Sequence, residues 1–336
     1  MWALNNRTAY AAERSWTRDK NGVHYWLVAV KATFDIRPGG HLALADEQLP
    51  PLQQPEYRGD PTVTSLRQDA DLLAAKPGTD VVLDAWAHAP NGRPATSIPV
   101  FLGVGELAKT LVVHGPRTYS HGFLGTTLSA PRPFTTHPIS YEWAFGGMDT
   151  NHKDEREHRI DSRNPIGKGF AIDSRHLDGK VAHAIEYPKA DPFKAGPAGF
   201  GPIASFWSPR RELAGTYDAR WQTSKKPLLP DDYDGRFALC SPDDQRPTRA
   251  LRGGEAIVLI NMTAEGTLRF DLPKIFLTFQ TSFGNRTEEH RAILTTLFIA
   301  TKQRKLSLVW QSALRVPARD ADYLDTTIIR EKPYLP

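Results

Sequence analysis

The sequence predicts a mainly β protein, with antiparallel sandwich-like sheets, a long ordered loop-rich middle segment and few short helices. Three observations indicate this class: several runs place apolar residues at every second position, helical spacing is scarce, and turn-forming residues are abundant. Proline and glycine account for 27 and 25 of the 336 residues. The composition, 40% apolar and 24% charged, is typical of a globular chain and argues against disorder.

The first strand signal runs over residues 26–36, where apolar side chains alternate and Lys31 and Thr33 fall between them. A period of two over such a run predicts a half-buried strand. Residues 37–40, with the sequence Arg-Pro-Gly-Gly, then interrupt the pattern, and the alternation resumes over residues 42–44. This succession predicts a β-hairpin.

Later runs follow the same logic. They predict strands at residues 80–88, 98–104, 110–113, 256–262, 267–272, 274–283, 293–301 and 306–316. Turns at Gly105-Glu106 and Glu265-Gly266 predict two further hairpins.

Helical patterns are few. Residues 62–75 could form one or two helical turns, because Leu66, Ala70 and Leu73 recur at helical spacing. Residues 287–296 fit a helix or a strand equally well. The stretch from 319 to 336 could be a docking strand or a frayed end.

Composition divides the chain into three parts. We expect an N-terminal β unit at 1–127, a loop-rich segment at 128–252 packed on the β units, and a C-terminal β unit at 253–336. The middle part is rich in proline, glycine and aromatic residues, which argues for an ordered layer, since long structureless loops are uncommon inside compact domains. The three parts could also form one continuous domain.

Composition also limits the kinds of site, cellular location and partner that we expect for this chain. A single cysteine, Cys240, excludes an internal disulfide framework and a multi-cysteine metal site, and a buried thiol is its expected state. The first residues lack a signal-peptide pattern and no apolar run approaches a membrane span, so a cytoplasmic location without membrane contact is expected. The net charge of +4 forms no basic stripe, so nucleic acid is not an expected partner.

Several short motifs resemble parts of nucleotide-binding or metal-binding sites but lack the neighbouring residues or elements that such sites require. Residues 103–108 match a dinucleotide fingerprint, yet a strand follows instead of the required helix, which predicts a hairpin turn. Residues 231–235 resemble part of a calcium loop, but the first ligand and the distal glutamate are missing. His152 and His158 lie close in sequence at a spacing that fits no standard metal clamp, so a surface loop is expected.

The unusual feature is a set of short sequence motifs, rich in aromatic residues and glycine, in the middle segment. Glycines beside an aromatic residue let the backbone pack against its ring, and prolines fix the path on either side. The motifs are Tyr141-Glu142-Trp143-Ala144-Phe145-Gly146-Gly147, Asn164-Pro165-Ile166-Gly167-Lys168-Gly169, Pro197-Ala198-Gly199-Phe200-Gly201-Pro202, Trp207-Ser208-Pro209-Arg210 and Ala214-Gly215-Thr216-Tyr217-Asp218-Ala219-Arg220-Trp221.

In this order, the motifs resemble those of the type VI secretion effector adaptor/chaperone family, a bacterial family first catalogued as a domain of unknown function. Further matching motifs are at residues 30–34, 76–81, 115–117 and 243–245, so the resemblance spans about residues 5 to 316. It implies a non-catalytic binding protein of the cytoplasm that needs no cofactor. Such a protein binds a cognate effector through a PAAR or PAAR-like region and helps load it onto the VgrG spike protein.

Rigid aromatic residues and arginine are the usual anchors of interfaces. The partner-binding candidates are therefore Trp143, Phe145, Phe200, Trp207, Arg210, Tyr217 and Trp221. Packing of these side chains among themselves is the alternative interpretation. Either an exposed strand edge accepts a strand of the client, or the aromatic loops grip a folded PAAR-like domain. In the second mode, replacing Trp207 or Arg210 by alanine weakens binding without unfolding the protein.

Two other functions stay open. A carbohydrate-active hydrolase on a β scaffold needs two facing carboxylates, for which Glu142 with Asp149 or Asp218 is the nominated pair. A structural component of the secretion particle is the second alternative, although the sequence lacks the repetitive pattern of a β-helix.

Overall fold

A computed structural model describes residues 2–332 and is mainly β, as predicted. In chain order, the strands of this range are β1 (Ala3–Asn6), β2 (Ala11–Arg18), β3 (His24–Ile36), β4 (Leu42–Leu44), β5 (Glu56–Tyr57), β6 (Leu66–Gln68), β7 (Asp80–His88), β8 (Ser97–Val104), β9 (Leu107–His114), β10 (Tyr119–Gly122), β11 (Gly125–Leu128), β12 (Thr136–Ile139), β13 (Phe145–Gly146), β14 (Met148–Asp149), β15 (Arg159–Ile160), β16 (Lys168–Gly169), β17 (Ile185–Glu186), β18 (Ala256–Ile260), β19 (Thr267–Asp271), β20 (Phe276–Phe283), β21 (Arg286–Arg291), β22 (Ile293–Ala300), β23 (Lys305–Val316) and β24 (Leu324–Lys332).

Helices in the described range are short. The α-helices are α1 (Pro192–Ala195) and α2 (Ala219–Ser224). The 3₁₀ turns are Pro38–Gly40, Pro90–Gly92, Tyr141–Trp143, Glu155–Glu157, Ser174–Leu177, Arg210–Ala214, Gly235–Ala238, Asp243–Gln245 and Ala318–Tyr323. Within residues 2–332, the helices all fall short of the length and apolar character that a membrane crossing needs.

Three larger sheets organise these strands. Sheet A has the order β12-β7-β22-β23-β3-β2, with β4 added to β3 beyond the end of β2. Sheet B has the order β17-β9-β8-β18-β19, and sheet C the order β1-β24-β20-β21. The predicted hairpins β3–β4, β8–β9 and β18–β19 all form with antiparallel register. Two parallel pairs, β7 with β22 and β1 with β24, join the early and late parts of the chain.

Sheets A and B pack face to face around the largest buried cluster. Sheet A contributes side chains such as Leu83 and Leu297, and sheet B contributes Leu102 and Leu259. Phe200, from the loop-rich middle segment, belongs to the same cluster. This face-to-face burial of apolar side chains is the sandwich arrangement that the alternating pattern predicts.

The prediction of a half-buried β3 is wrong, because both faces of this strand are covered. Trp26 and Val30 on one face pack with residues of sheet C, while Leu27 and Ala29 on the other pack beneath Leu72. A loop layer therefore covers the second face of sheet A. In this layer the Asp71 carboxylate lies 3.5 Å from the buried Lys31 ammonium, which lets a charged side chain occupy the interior.

The segment 62–75 does not form the expected helical turns. Leu66 lies in β6, which pairs with β5, and the rest of the segment is irregular. Its acidic side chains are fixed by buried cations: Asp69 pairs with Arg210 and Asp71 with Lys31. These contacts, which the spacing of apolar residues does not reveal, override the weak helical signal.

Two further expectations concern the late part of the chain. The ambiguous residues 287–296 are extended, within β21 and the start of β22. The segment 319–336 begins with a 3₁₀ turn and continues as β24, which pairs with β20 and β1 up to Lys332. Residues 333–336 lie outside the described part of the chain. The middle segment 128–252 is largely loop, with short strands and helical turns, as predicted.

Candidate functional site

Four of the seven partner-binding candidates have buried side chains. Phe145, Phe200, Trp207 and Arg210 are between 0% and 6% exposed. Phe200 lies in the core between sheets A and B, and Trp207 packs edge-on against Tyr141 at 5.6 Å between ring centroids. Because Trp207 and Arg210 are buried, we now predict that their alanine variants lose stability, whereas the sequence predicts weaker binding without unfolding.

Three candidates remain accessible. Tyr217 is half exposed and meets the ring of Trp221 edge-on at 4.7 Å. Trp143 is partly buried, and the Lys168 ammonium lies 4.6 Å from the centre of its ring. Of the seven side chains, Arg210 and Tyr217 line one cavity, whereas Trp221 lines another.

That cavity is an apolar cleft of about 670 Å³ on the loop layer over sheet A. One wall consists of residues 17–19, Tyr25 and residues 69–76, and the other comes from the segment 205–238. We call this cavity the loop-layer cleft. Most of its lining is aliphatic or aromatic, and such a concave apolar site is the usual form of a binding pocket.

Arg210 connects the two walls of the loop-layer cleft. Its guanidinium lies 2.6 Å from the Asp69 carboxylate on the first wall. It also donates hydrogen bonds to the backbone carbonyls of Phe237 on the second wall, at 2.9 Å, and of Ile203, which lies outside the lining, at 2.8 Å. The planar guanidinium suits such a site because its donors point in several fixed directions. A buried ion pair therefore connects the two walls of the cleft.

The rim of the loop-layer cleft is fixed by separate hydrogen bonds. Lys20, in the turn after β2, donates hydrogen bonds to the backbone carbonyls of Asp231 at 2.8 Å and Tyr233 at 3.1 Å. On the second wall, the Trp221 indole donates to the carbonyl of Leu228 at 2.8 Å, just behind Tyr217. The rim aromatic residue thus rests on a fixed support, which limits the entropy lost when a partner binds.

Electrostatics at the loop-layer cleft favour apolar contacts. Burial raises the pKa of the Tyr233 phenol, so its hydroxyl stays neutral near pH 7. Lys76, at the inner end of the cleft, pairs with Asp80 at 2.7 Å, and Arg210 pairs with Asp69. These two ion pairs neutralise their own charges. The lining also includes Arg18 and Asp19, but most of it is aliphatic or aromatic, so burial of apolar surface is its main contribution to binding.

Glu142, the nominated hydrolytic acid, is occupied by structural hydrogen bonds. Its carboxylate accepts hydrogen bonds from the Ser65 backbone N–H, at 2.7 Å, and the Ser65 hydroxyl. Burial alone would raise the pKa of Glu142, but hydrogen bonds from Ser140 and Ser65 lower it below its usual value. A general acid needs a raised pKa. Asp149 accepts from His176, and Asp218 caps the first turn of α2.

The other motifs also have structural partners. Residues 103–108 form the β8–β9 turn, as predicted. In the calcium-like turn, Asp232 accepts two hydrogen bonds from Thr216, while Asp234 pairs with Arg236. Among the described residues, no group of three or more histidine, cysteine or acidic side chains is arranged to hold a metal ion. Cys240 is buried, as expected.

Sequence analysis missed two apolar residues of the loop-layer cleft. Leu73 is 61% exposed on the first wall, and Leu228 lies on the second. Leu73 recurs at helical spacing with Leu66 and Ala70, and this pattern gives no indication of its exposure. Leu228 follows Pro227 in a short loop with no periodic pattern, and no sequence signal distinguishes it from a core residue.

One comparison with known proteins gives a match. A family model described as "Uncharacterized protein conserved in bacteria (DUF2169)" matches residues 21–311, which include nearly all of the loop-layer cleft. No curated protein and no solved structure matches the chain.

Proposed function

We propose that this chain, which belongs to the uncharacterized bacterial family DUF2169, is a type VI secretion effector adaptor or chaperone. In this proposal the protein binds a cognate effector in the cytoplasm of the producing cell. It holds the PAAR or PAAR-like region of the effector and helps load it onto the VgrG spike protein. The role is non-catalytic. The support comes from the sequence motifs of the middle segment together with the apolar lining of the loop-layer cleft.

The loop-layer cleft is the observation that carries the proposal. A cavity of about 670 Å³ with apolar walls can take several side chains of a client protein. Its rim carries the half-exposed aromatic ring of Tyr217 and the exposed side chain of Leu73. A buried aromatic anchor surrounded by apolar contacts is the usual centre of a protein interface.

The mechanism follows from this geometry. An effector segment that is apolar and prone to aggregate would bury its side chains between Leu73 and Tyr217, where water is excluded. The buried Arg210–Asp69 pair fixes the two walls relative to each other, which reduces the rearrangement that binding requires. Release on the spike requires only that the client find a larger apolar partner surface, since no covalent bond is made.

The test is binding of the purified PAAR-like region of the cognate effector, measured by isothermal titration calorimetry. Replacing both Leu73 and Tyr217 by serine should weaken binding roughly 10- to 100-fold, because anchors of interfaces carry most of the affinity. Tyr323→Ser is a matched control, since Tyr323 is an exposed tyrosine outside the cleft, 66% exposed against 51% for Tyr217.

Three outcomes would count against the proposal. The wild-type protein could fail to bind any effector of its own secretion locus. It could hydrolyse a glycan, with activity lost in Glu142→Gln, which would indicate a hydrolase. It could also leave the cell in the fired particle, which would indicate a structural component.

A further inference from the structure

A small, largely enclosed cavity lies between sheet A and the loop layer and has a volume of about 10 Å³. Sheet A lines it with Lys31 of β3, Thr296 of β22 and Ser307 of β23, and the loop layer lines it with Asp71 and Lys76. Lys76 also lines the loop-layer cleft, so the two cavities are neighbours. We call the smaller one the inner cavity.

The Lys31 ammonium is incompletely paired at the inner cavity. Lys31 is 2% exposed, and its ammonium lies 3.5 Å from the Asp71 carboxylate. A charge-assisted hydrogen bond is shorter, about 2.7–2.9 Å. Within residues 2–332, the structure gives this ammonium no acceptor besides Asp71. Since an ammonium has three N–H donors and a buried donor without an acceptor is costly, Lys31 requires a further partner.

The second lysine of the inner cavity is better paired. The Lys76 ammonium donates to the Asp80 carboxylate at 2.7 Å and to the Thr296 hydroxyl at 3.2 Å. Two of its three N–H groups are therefore occupied at ordinary hydrogen-bond distances. The shortage of acceptors is thus greatest at Lys31, although both side chains are buried beside the same cavity.

The lining of the inner cavity offers both donors and acceptors to one small molecule. Lys31 supplies donors, the Asp71 carboxylate supplies acceptors, and the hydroxyl of Ser307, which is 3% exposed, can serve as either. A polar cavity holds a water when its volume is roughly 10 Å³ or more and it provides two to four polar partners. Volume and lining groups therefore match a single water molecule.

The charges around the inner cavity favour a neutral occupant over an ion. Three buried cations and three carboxylates lie in its lining or beside it, in the pairs Lys31–Asp71, Lys76–Asp80 and Arg210–Asp69. Because these charges are equal in number and opposite in sign, an added ion would be buried without a counter-charge. A water molecule adds hydrogen bonds without adding charge.

We propose that the inner cavity binds one ordered water molecule, which accepts a hydrogen bond from the Lys31 ammonium and links sheet A to the loop layer. Residues 69–76 form part of the first wall of the loop-layer cleft, so the water adds to the contacts that fix this wall. The Gln311 side chain, on β23, already donates to the backbone carbonyls of Asp71 and Ala74 at 3.0 Å. The inference concerns the free protein and does not depend on the proposed function.

The first experiment is a high-resolution crystal structure of the whole chain. We expect one peak of solvent density in the inner cavity, within hydrogen-bond distance of Nζ of Lys31. In solution, oxygen-17 magnetic relaxation dispersion of water counts the long-lived internal waters. Lys31→Met/Asp71→Asn removes the ion pair without leaving an unpaired charge, and the asparagine keeps an acceptor for the Leu52 N–H. The dispersion amplitude should fall by the contribution of one water.

The control is Lys305→Met/Asp35→Asn. It removes a more exposed lysine–aspartate pair, 2.6 Å apart, that joins the same two strands, β3 and β23. Its dispersion amplitude should equal that of wild type.

Three results would overturn the inference. The first is an ordered crystal without solvent density in the inner cavity. The second is density that gives a bromide anomalous signal after a bromide soak, which would identify an anion. The third is an equal dispersion amplitude in wild type and the Lys31→Met/Asp71→Asn variant, which would show that Lys31 does not hold a long-lived water. Should this variant fail to fold, the density in the wild-type crystal decides.

Discussion

The guanidinium of Arg210 lies 2.6 Å from the carboxylate of Asp69, and this buried pair joins the two walls of the loop-layer cleft. The two residues are far apart in sequence and belong to different loops. Replacing Arg210 by alanine leaves the Asp69 charge buried without its partner, which should cost about 3–5 kcal/mol of stability. Urea denaturation, followed by tryptophan fluorescence, measures this loss.

A double-mutant cycle tests the pairing itself. Asp69→Ala/Arg210→Ala should lose less stability than the sum of the single variants, with a coupling energy of roughly 1–3 kcal/mol. Strict additivity would contradict the pair. Arg210→Lys should recover only part of the stability, since lysine cannot make the same set of fixed hydrogen bonds to Ile203 and Phe237.

Burial separates the aromatic candidates into two groups by stability. Phe200→Ala and Trp207→Ala should each destabilise the protein by about 3–5 kcal/mol, because they remove large side chains from the core. Tyr217→Ala should change the free energy of unfolding by less, on the order of 0.5–1 kcal/mol, because its ring is half exposed. Thermal denaturation of the three variants compares these losses. Equal losses would contradict the assignment of Tyr217 to a rim.

Gly169 is predicted to tolerate no side chain. It has a φ of 97°, and a Cβ there would lie 2.2 Å from the Tyr119 hydroxyl and 3.0 Å from His183. Gly169→Ala should therefore cost about 2–4 kcal/mol through strain and overlap. Gly179→Ala is the control: its φ is 72° but open space surrounds its Cβ position, so only about 1 kcal/mol of strain is expected. Similar losses for both variants would mean that the Tyr119–His183 contact is loose.

His290 should make stability depend on pH. Its ring nitrogens lie 2.7 Å from the Thr281 hydroxyl and 2.5 Å from the Ser312 hydroxyl. Burial lowers the pKa of His290 from 6.5 to about 4, so the folded protein resists protonation there. Between these two values the unfolded chain binds the proton more strongly, and stability falls as pH falls. The loss should reach about 2–3 kcal/mol near pH 4.

The measurement for His290 is denaturant unfolding at several values between pH 7 and pH 4. His290→Gln keeps hydrogen-bonding groups but does not titrate, so it should have a flatter profile over this range. Other buried histidines, such as His137, act in the same direction and remain in the variant. An unchanged profile in His290→Gln would assign the pH dependence to those residues.

Cys240 should be unreactive in the native protein. Its side chain is 1% exposed, and its sulfur lies 3.4 Å from an Asp80 carboxylate oxygen. Burial, followed by the nearby negative charge, raises the pKa of the thiol well above its usual value, so thiolate is scarce. A thiol reagent such as Ellman's reagent should label the chain only in denaturant. Rapid labelling of the native protein would contradict the burial of Cys240.

Much of the fold follows from local pattern. Strands β3, β7, β8 and β23 fall where alternation of apolar residues predicts them, and the turns of the hairpins β3–β4, β8–β9 and β18–β19 fall at glycine-containing breaks. The fingerprint at 103–108 was rejected correctly because no helix could follow it. These features depend on neighbours in the sequence, and the physical rule behind them, the opposite direction of successive side chains in a strand, is local.

The candidate site was less predictable. The motifs of glycine and aromatic residues predicted a rigid middle segment. Whether their side chains are buried, as those of Phe145, Phe200, Trp207 and Arg210 are, depends on which layer packs above them. No local rule distinguishes a ring that faces a sheet from one that faces solvent.

The sequence by itself therefore determined the class of fold, the positions of most strands and the ordered, aromatic character of the middle segment. Tertiary structure decided the parallel pairing of β7 with β22, the burial of Lys31 beside Asp71, and the formation of the loop-layer cleft. The reason is that periodicity reports only which side chains share a face. Whether that face meets solvent, a second sheet or a loop layer depends on contacts between residues distant in sequence.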